Sequence, residues 1–268
     1  MPPERDPERP VALVTGGSAG LGAELADLLA RDGYPVVLVA RREAELARVA
    51  AGLRARHGAT VETIVADLSQ PEAAAAVVDA LRDRGLRVGV LVNNAGFGGS
   101  GPFATSDRDH ELAMIAVNVV ALTHLTKLLL PPMVAAGQGR ILNVASTAAF
   151  QPGPLMAVYF ATKAYVLSFS EAIAAELRGS GVTVTALCPG PTATGFAARS
   201  GMGDSRLFQG AGVGDARRVA AAGYAGMRAG KAIVVPGRGN WALTQAVRVL
   251  PRGLLARTMR RAMERTDS

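Results

Sequence analysis

Short apolar runs rich in valine, leucine and isoleucine alternate along this chain with longer amphipathic stretches. The alternation is typical of a parallel β-sheet that is covered by helices on both faces. The predicted strands are Val11–Thr15, Val36–Ala40, Thr60–Val65, Val88–Val92, Arg140–Ala145, Val182–Leu187 and Ala232–Val235. The predicted helices cover about residues 21–32, 43–57, 71–84, 107–136, 156–178 and 215–229. Seven strands with six intervening helices predict one doubly wound α/β domain.

The composition is that of a globular protein. The chain has 268 residues, of which 49% are hydrophobic and 19% charged, enough for one domain with a full core. We expect this domain at residues 10–239. The charged, proline-rich residues 1–9 predict a disordered lead-in and not a secretory signal, and no stretch is predicted to cross a membrane. Because Cys188 is the only cysteine, an internal disulfide is excluded and the cytoplasm is favoured.

A net charge of +7 and a pI near 10.3 raise the question of an anionic partner. The arginines are spread along the chain without a basic run or an aromatic stripe that could stack bases, so no nucleic acid is predicted. His57, His110 and His124 have no ligand spacing with each other or with carboxylates, so no metal is predicted either.

Gly16, Gly20 and Gly22 follow the first predicted strand. At a strand-to-helix junction, glycines let the backbone approach a pyrophosphate while the helix N-terminus supplies amide donors. The spacing Gly-x-x-x-Gly-x-Gly differs from the Gly-x-Gly-x-x-Gly of many dinucleotide sites. We predict a cofactor loop that includes Ser18 and Leu21. The alternative is a tight turn with close helix packing alone.

The second predicted strand runs into Ala40-Arg41-Arg42, where an NAD site usually has an acidic residue for the ribose hydroxyls. Arginine forms bidentate, charge-assisted pairs with phosphate. We therefore predict NADP(H) over NAD(H), with Arg41 as the main contact to the 2′-phosphate, Arg42 beside it and Ser18 as a helper. Two alternatives stay open: the arginines are a solvated helix start, or Glu43 binds the ribose.

Tyr159 and Lys163 lie four residues apart in a predicted helix and therefore share one face of it. Lys163 is one of three lysines in a chain with 26 arginines. A compact, titratable ammonium beside a phenol indicates proton-transfer chemistry. The spacing alone is weak support, because surface lysines are common.

Further motifs follow in order along the chain: Thr15-Gly16-x-x-x-Gly20-x-Gly22, Asp67-Leu68, Asn93-Asn94-Ala95-Gly96, Asn118, Ser146, Tyr159-x-x-x-Lys163 and Pro189-Gly190. Together they resemble the short-chain dehydrogenase/reductase family over residues 10–240. The resemblance implies a Rossmann-type domain with a seven-stranded, mostly parallel sheet. It also implies NADP(H)-dependent oxidoreductase activity between ketones and secondary alcohols, in a homodimer or homotetramer.

The resemblance implies a set of cofactor contacts after the third, fourth and sixth predicted strands. Asp67, followed by Leu68, is expected to bond the adenine amine. The turn after the fourth strand is expected to line the adenine and ribose side and to brace the central strands, through Asn93, Asn94, Ala95 and Gly96. After the sixth strand, the nicotinamide is expected to be packed by Pro189 and Gly190 and its carboxamide bonded by Thr192 or Thr194.

The same resemblance implies the catalytic roles. Tyr159 donates its proton to the substrate carbonyl, although a free phenol, with a pKa of about 10, is a sluggish acid at neutral pH. The ammonium of Lys163, together with the oxidised nicotinamide, is expected to lower that pKa, and Lys163 also bonds the nicotinamide ribose. Ser146 holds the carbonyl oxygen. Asn118 holds a water that relays protons to Lys163, and the alternative is a buried asparagine that satisfies a helix carbonyl.

Apolar segments frame the predicted substrate site. The glycine-rich stretch at about residues 195–214 is expected to be a mobile lid over a hydrophobic carbonyl substrate, with Phe196, Met202, Leu207 and Phe208. The basic amphipathic extension at residues 240–268, broken at Pro251, has three candidate partners: another subunit, the substrate pocket or an anionic membrane. An alternative to the enzyme is a cofactor-binding sensor or scaffold without useful turnover.

Overall fold

Seven parallel strands form the central sheet of the computed structural model, which describes residues 9–201 and 213–263. The strands are β1 Val11–Thr15, β2 Val36–Ala40, β3 Val61–Val65, β4 Val88–Asn93, β5 Gly139–Val144, β6 Val182–Leu187, β7 Thr192–Ala193, β8 Gly214–Asp215 and β9 Ile233–Val234. The sheet has the order β3-β2-β1-β4-β5-β6-β9, and β7 and β8 form a separate parallel pair.

Helices connect successive strands of the parallel sheet. They are α1 Gly20–Arg31, α2 Glu43–His57, α3 Ala73–Asp83, α4 Arg108–Ile115, α5 Leu122–Ala135, α6 Ala157–Glu176, α7 Phe196–Arg199, α8 Ala216–Arg228, α9 Arg238–Ala246 and α10 Arg252–Met263. A π-helical turn, Ala116–Ala121, joins α4 to α5, and a 3₁₀ turn, Thr147–Phe150, precedes α6. Each parallel connection needs such a crossover, because two parallel strands cannot be joined by a tight hairpin.

Successive residues of β1 enter two different hydrophobic cores. Ala12 and Val14 pack with residues of α1, α2 and α8, whereas Val11 and Leu13 pack with residues of α3 and α5. This follows from the period of two in a strand, which sends neighbouring side chains to opposite faces. The predicted doubly wound domain, with helices on both faces of a seven-stranded sheet, is confirmed.

The structure refines two predicted segments. The helix expected at residues 107–136 is not uniform, since the π-helical turn interrupts it in the middle. The C-terminal segment is broken where Pro251 predicts, and α9 and α10 lie on either side. Residues 1–8 of the expected lead-in, 202–212 of the expected lid and 264–268 of the extension lie outside the described residues.

The helical stretch Arg108–Ala135 corrects one expectation. It has a mean hydropathy of 1.7 over an 18-residue window, so it is long and apolar enough to span a membrane, contrary to the prediction that no stretch is. Within that window 44% of the residues are buried inside the protein, and Leu125, Leu129 and Met133 pack on the sheet. Core helices of soluble proteins have the same character, so the stretch gives only weak support for a membrane span.

The order of the strands reverses between β1 and β4. From β1 the chain builds outward to β2 and β3, and from β4 it builds outward in the other direction. In open α/β sheets, ligands bind in the crevice at the carboxyl ends of the strands at such a reversal. The glycine loop, Asn94, Ser146 and Pro189 all follow the carboxyl ends of these strands.

Candidate active site

A cavity of about 670 Å³ lies at the carboxyl ends of the strands. Its walls include most of the residues predicted from the sequence, namely Gly16, Ser18, Gly20, Leu21, Arg41, Arg42, Asp67, Leu68, Asn94, Ala95, Gly96, Ser146, Tyr159, Lys163, Pro189, Gly190, Thr192 and Thr194. Of the predicted site residues that the structure describes, Gly22, Asn93 and Asn118 do not line the cavity. They contact the residues that form its walls or the strands behind them.

Close backbone contacts shape the glycine loop. Gly16 and Gly20 have φ of +65° and +55°, a left-handed conformation that favours glycine. A Cβ on Gly16 would lie 2.7 Å from the side-chain Nδ2 of Asn94, and one on Gly22 would collide with the Gly16 carbonyl. Helix α1 follows Ala19 with no side-chain cap, so its first amides are available to a phosphate. The loop therefore fits a pyrophosphate, and its glycines serve packing as well.

Asn94 and Thr15 hold the glycine loop against the turn after β4. Asn94 Nδ2 donates to the carbonyls of Thr15 and Gly16 at 2.9 and 3.3 Å. Thr15 Oγ1 accepts from the amides of Asn94 and Ala95, both at 3.0 Å. Sequence reasoning gave Thr15 no role of its own, although a polar residue at the carboxyl end of a fully buried strand was the available signal.

Asn93 does not reach the adenine and ribose side, where it was expected. Its amide donates to Thr126 Oγ1 at 3.0 Å and to Asn143 Oδ1 at 2.9 Å, and Asn143 donates to Ser170 Oγ at 2.9 Å. These buried bonds join β4 and β5 to α5 and α6. Neighbouring side chains at a strand end point in opposite directions, so Asn94 faces the loop and Asn93 braces the central strands.

The two arginines after β2 differ in their surroundings. Arg42 precedes α2 and pairs with Glu45, which agrees with the alternative of a helix start for this residue. The side chain of Arg41 is 66% exposed at the cavity, 3.9 Å from Asp67 Oδ2. A guanidinium in such a loose pair keeps donors available for a phosphate.

Asp67 is oriented by the residue two positions after it. Its Oδ1 accepts from the amide and the hydroxyl of Ser69 at 3.0 and 2.8 Å. Burial alone would raise the pKa of Asp67, but these bonds and the charge of Arg41 bring it below the ordinary 3.8. The carboxylate is therefore ionised at neutral pH and is suited to accept a hydrogen bond from an amine such as that of adenine.

Tyr159, Lys163 and Ser146 converge in the part of the cavity formed by α6 and the turn after β5. Tyr159 and Lys163 share one face of α6, and both are buried. Lys163 Nζ lies 5.8 Å from the centre of the Tyr159 ring and donates to the carbonyl of Val144 at 2.8 Å. The Ser146 hydroxyl, at the start of the 3₁₀ turn, donates to the carbonyl of Pro189 at 3.4 Å.

Burial dominates the electrostatics of Tyr159 and Lys163 in the protein alone. It raises the pKa of Tyr159 to about 12, against an opposing effect of the Ser146 hydroxyl, and the predicted decrease beside the oxidised nicotinamide stays a prediction. Burial also lowers the pKa of Lys163 to about 8. Desolvation is the largest effect on both groups because both lie inside the protein, which the sequence does not reveal. With the protein's own groups alone, the phenol keeps its proton at neutral pH.

The short chain dehydrogenase family model matches residues 10–203 of this chain. The chain belongs to the short-chain dehydrogenase/reductase family. An uncharacterised oxidoreductase of Staphylococcus saprophyticus is 36% identical over 180 residues, which are 67% of this chain and 77% of that protein. The very-long-chain 3-oxoacyl-CoA reductase of Anas platyrhynchos is 36% identical over 189 residues, which are 68% of this chain but 60% of that reductase.

Solved structures of the family are similar over nearly the whole chain. A short-chain dehydrogenase from Sphingobium yanoikuyae, in complex with NADPH, has 32% identity and a TM-score of 0.80, over 97% of this chain and 98% of that one. The bulky-bulky ketone specific alcohol dehydrogenase from Comamonas testosteroni has 31% identity and a TM-score of 0.75, over 91% and 93%. The predicted family is thus confirmed, and with it the assignment to the oxidoreductases of carbonyl and alcohol groups.

Asn118 of this short-chain dehydrogenase/reductase lies in the π-helical turn and is buried. Its Oδ1 accepts from the backbone amide of Phe97 at 3.1 Å. Its Nδ2 donates to the carbonyl of Phe97 at 3.0 Å and to Thr162 Oγ1 at 3.1 Å. Both amide protons are used, and the side chain bonds neither a helix carbonyl nor the cavity. These bonds tie the turn carrying Gly96 to α6, and the water relay from Asn118 to Lys163 stays a prediction.

The segment after β6 places several small polar groups at the cavity of this oxidoreductase. Thr192 Oγ1 donates to the carbonyl of Gly190 at 2.9 Å, and Thr194 Oγ1 accepts from the amide of Phe196 at 3.2 Å. Asn240, to which sequence reasoning gave no role, packs on Gly190, where a Cβ would lie 2.6 Å from its Nδ2.

The inner face of α10 supplies an apolar wall. Met263 is buried in one cluster with Met114, Ala148, Met156, Tyr159 and Phe160, and Met259 packs against it. Both methionines of α10 also line the cavity. The inner face of α10 therefore contacts the cavity beside Tyr159, and contacts of the extension with another subunit or a membrane stay predictions.

Proposed function

We propose that this protein is an NADP(H)-dependent oxidoreductase that interconverts a bulky hydrophobic ketone and its secondary alcohol. The observation that carries the proposal is the convergence of Tyr159, Lys163 and Ser146 on the cavity that also contains the glycine loop and Arg41. NADP(H) supplies or accepts the hydride when bound. The protein's own groups must then bind the carbonyl, hold its oxygen and deliver one proton.

Tyr159 is the proton donor in the direction of reduction. As the carbonyl carbon gains a hydride, its oxygen gains negative charge and takes the phenolic proton, which leaves an alcohol and a phenolate. The ammonium of Lys163, 5.8 Å from the ring centre, stabilises that phenolate. The hydroxyl of Ser146 bonds the carbonyl oxygen as its charge develops. Oxidation of the alcohol follows the same steps in reverse.

The charge at the end of β2 supports a preference for NADP(H). Ala40 replaces the acid that would hold ribose hydroxyls, and Arg41 and Arg42 both line the cavity. The two guanidiniums attract the 2′-phosphate of NADP(H), whereas a carboxylate at this position would repel it. The NADPH in the similar Sphingobium structure agrees with this preference.

The cavity walls support a bulky, apolar substrate. Three methionines, Met156, Met259 and Met263, surround the side of the cavity that holds Tyr159 and are joined by Phe160. Methionine side chains adapt to irregular shapes, so this wall suits large hydrophobic groups of varied outline. The names of two relatives, for a bulky ketone and a very-long-chain oxoacyl thioester, describe carbonyl compounds of this kind.

A panel of carbonyl compounds tests the enzyme assignment. NADPH oxidation would be followed with aliphatic, aryl, steroid and thioester-linked ketones of increasing size. We expect turnover to rise with the apolar bulk on both sides of the carbonyl. Tight NADPH binding without turnover on any of them would instead support a cofactor-binding sensor or scaffold.

The two arginines provide a matched test of the cofactor preference. Arg41→Ala should weaken NADPH by about tenfold or more, since a charge-assisted hydrogen bond contributes about 1.5–3 kcal/mol, and should leave NADH nearly unchanged. Arg42→Ala is the control, because Arg42 already pairs with Glu45 and should cost less. Dissociation constants from cofactor fluorescence give both ratios. Equal losses for NADPH and NADH would exclude a contact between Arg41 and the 2′-phosphate.

A further inference from the structure

The positive charge of this chain is concentrated near its C-terminus. Residues 216–263 contain nine arginines, Lys231 and no aspartate or glutamate. The other 220 residues carry 19 basic and 22 acidic side chains. The whole positive excess of the protein therefore comes from these 48 residues, which include α8, α9 and α10.

Exposed apolar side chains occur in the same segment. Val249 is 84% exposed, Trp241 57%, Leu254 51% and Leu250 41%. We call these four residues the apolar corner. Trp241 lies on α9, Val249 and Leu250 lie between α9 and α10, and Leu254 lies in the first turn of α10. Within the described part of the chain, none of them lines the catalytic cavity.

Helix α10 has one face that packs against the protein and one that is exposed. Leu255, Met259 and Met263 are spaced four residues apart and form the inner stripe, of which Leu255 and Met263 are buried. Arg257 and Arg261 lie on the exposed side, together with Leu254. The inner stripe provides the packing of the helix on the protein, so the apolar corner, Arg257 and Arg261 can serve a different contact.

We propose that the apolar corner and the arginines around it dock this protein on an anionic lipid membrane. Interfacial segments of this kind insert aliphatic and tryptophan side chains at the headgroup level, while arginines bind lipid phosphates. A nucleic acid would use the arginines but would leave Val249, Leu250 and Leu254 without an apolar partner. Docking would hold α10, a wall of the substrate pocket, at the bilayer surface.

The single tryptophan of the chain makes this surface directly observable. The full-length protein would be mixed with vesicles of phosphatidylcholine alone or of phosphatidylcholine with about 30% phosphatidylserine. The measurement is made at about physiological salt, because low salt would exaggerate the attraction between exposed charges. We expect sedimentation with the anionic vesicles only, together with a blue shift of the Trp241 emission. Raising the salt should weaken binding without abolishing the shift in the bound fraction.

Two sets of variants separate the apolar and the charged contributions. Val249→Ser/Leu250→Ser/Leu254→Ser should reduce the vesicle partition coefficient at least tenfold. Phe103→Ser/Val65→Ser is its control, because these residues are 68% and 53% exposed and lie outside residues 216–263. Arg257→Gln/Arg261→Gln should reduce binding to the anionic vesicles. Arg82→Gln/Arg108→Gln, at exposed positions outside residues 216–263, should not. Circular dichroism would verify that each variant is folded.

Three results would overturn the proposal. The first is the absence of vesicle binding by the wild type. The second is a Trp241 blue shift that depends on protein concentration without vesicles, which would assign the apolar corner to contact between copies of the chain. The third is binding to double-stranded DNA that survives the three serine substitutions while vesicles are not bound, which would assign the basic surface to nucleic acid. None of these results depends on the proposed catalytic function.

Discussion

Burial governs the proton chemistry of Tyr159. Its ring packs between Phe160 and Phe196, with ring centres 6.1 and 5.3 Å away. In this apolar surrounding the phenolate is disfavoured, so the proton stays on oxygen until a substrate oxygen with developing charge takes it. The low dielectric that raises the pKa also strengthens the attraction between the new phenolate and Lys163. The same burial therefore holds the proton before the reaction and stabilises the ion pair that forms during it.

The residue most directly tested is Tyr159. Tyr159→Phe removes the proton donor and keeps the ring that packs against Phe196, so we expect turnover to fall by about 10²–10⁴-fold with unchanged NADPH affinity. Steady-state kinetics and cofactor titration give the two values. Tyr165→Phe is the control, because Tyr165 is half-exposed and bonds Thr123 outside the cavity. An undiminished rate in Tyr159→Phe would exclude this residue as the acid.

The pH dependence of reduction should reflect Lys163. Its pKa is lowered to about 8, so the ammonium is present below that pH and is lost as the pH rises through it, while the Tyr159 phenol, with a pKa of about 12, stays protonated. We expect the rate of ketone reduction to be level from pH 6 to about 7.5 and to fall above about 8. NADPH affinity, measured over the same range, separates this effect from cofactor loss. A level rate up to pH 10 would show that the ammonium is not required.

At the scale of elements, the sequence predicted those parts whose signal is local. Strand positions follow from apolar runs, and the glycine loop follows from three glycines after β1. The direction of Asn93 depends on which face of β4 meets α5, and the engagement of Asn118 depends on a π-helical turn between two helices. Both are set by packing between elements distant in sequence, which local pattern does not encode. The burial that raises the pKa of Tyr159 in the protein alone is likewise a property of the assembled site, and the predicted decrease beside the oxidised nicotinamide stays a prediction.

Helix α10 is the element whose role the structure adds most to. Met263→Ala should lower the free energy of unfolding by about 2–5 kcal/mol, since it leaves a cavity in a buried cluster, and should raise KM for bulky ketones more than for small ones. NADPH affinity should be unchanged, because the glycine loop is not touched. Chemical denaturation and substrate-size series measure both effects. Leu254→Ala, on the exposed side of the same helix, is the control and should cost under about 0.5 kcal/mol.

At the scale of the molecule, two of the surfaces with several exposed apolar side chains differ in charge. The apolar corner lies within a segment of ten basic and no acidic residues. The other surface lies on the stretch Arg108–Ala135, where Leu112, Ile115 and Val120 are exposed. These side chains account for part of the high hydropathy of that stretch. A surface without a charge excess suits a second copy of the chain better than an anionic bilayer.

This second surface leads to a prediction about assembly. Val120, 51% exposed, lies one helical turn before Thr123, whose hydroxyl bonds Tyr165 of α6 at 2.9 Å, so α5 and α6 present a joint face. We expect the protein to be a homodimer or homotetramer, and Val120→Arg to shift it to a smaller species, because a buried unpaired guanidinium is costly. Light scattering coupled to size exclusion measures the mass. Val65→Arg on the edge strand β3, where Val65 is 53% exposed, is the matched control and should not change the mass. A monomeric wild type, or equal dissociation in both variants, would remove this face as the interface.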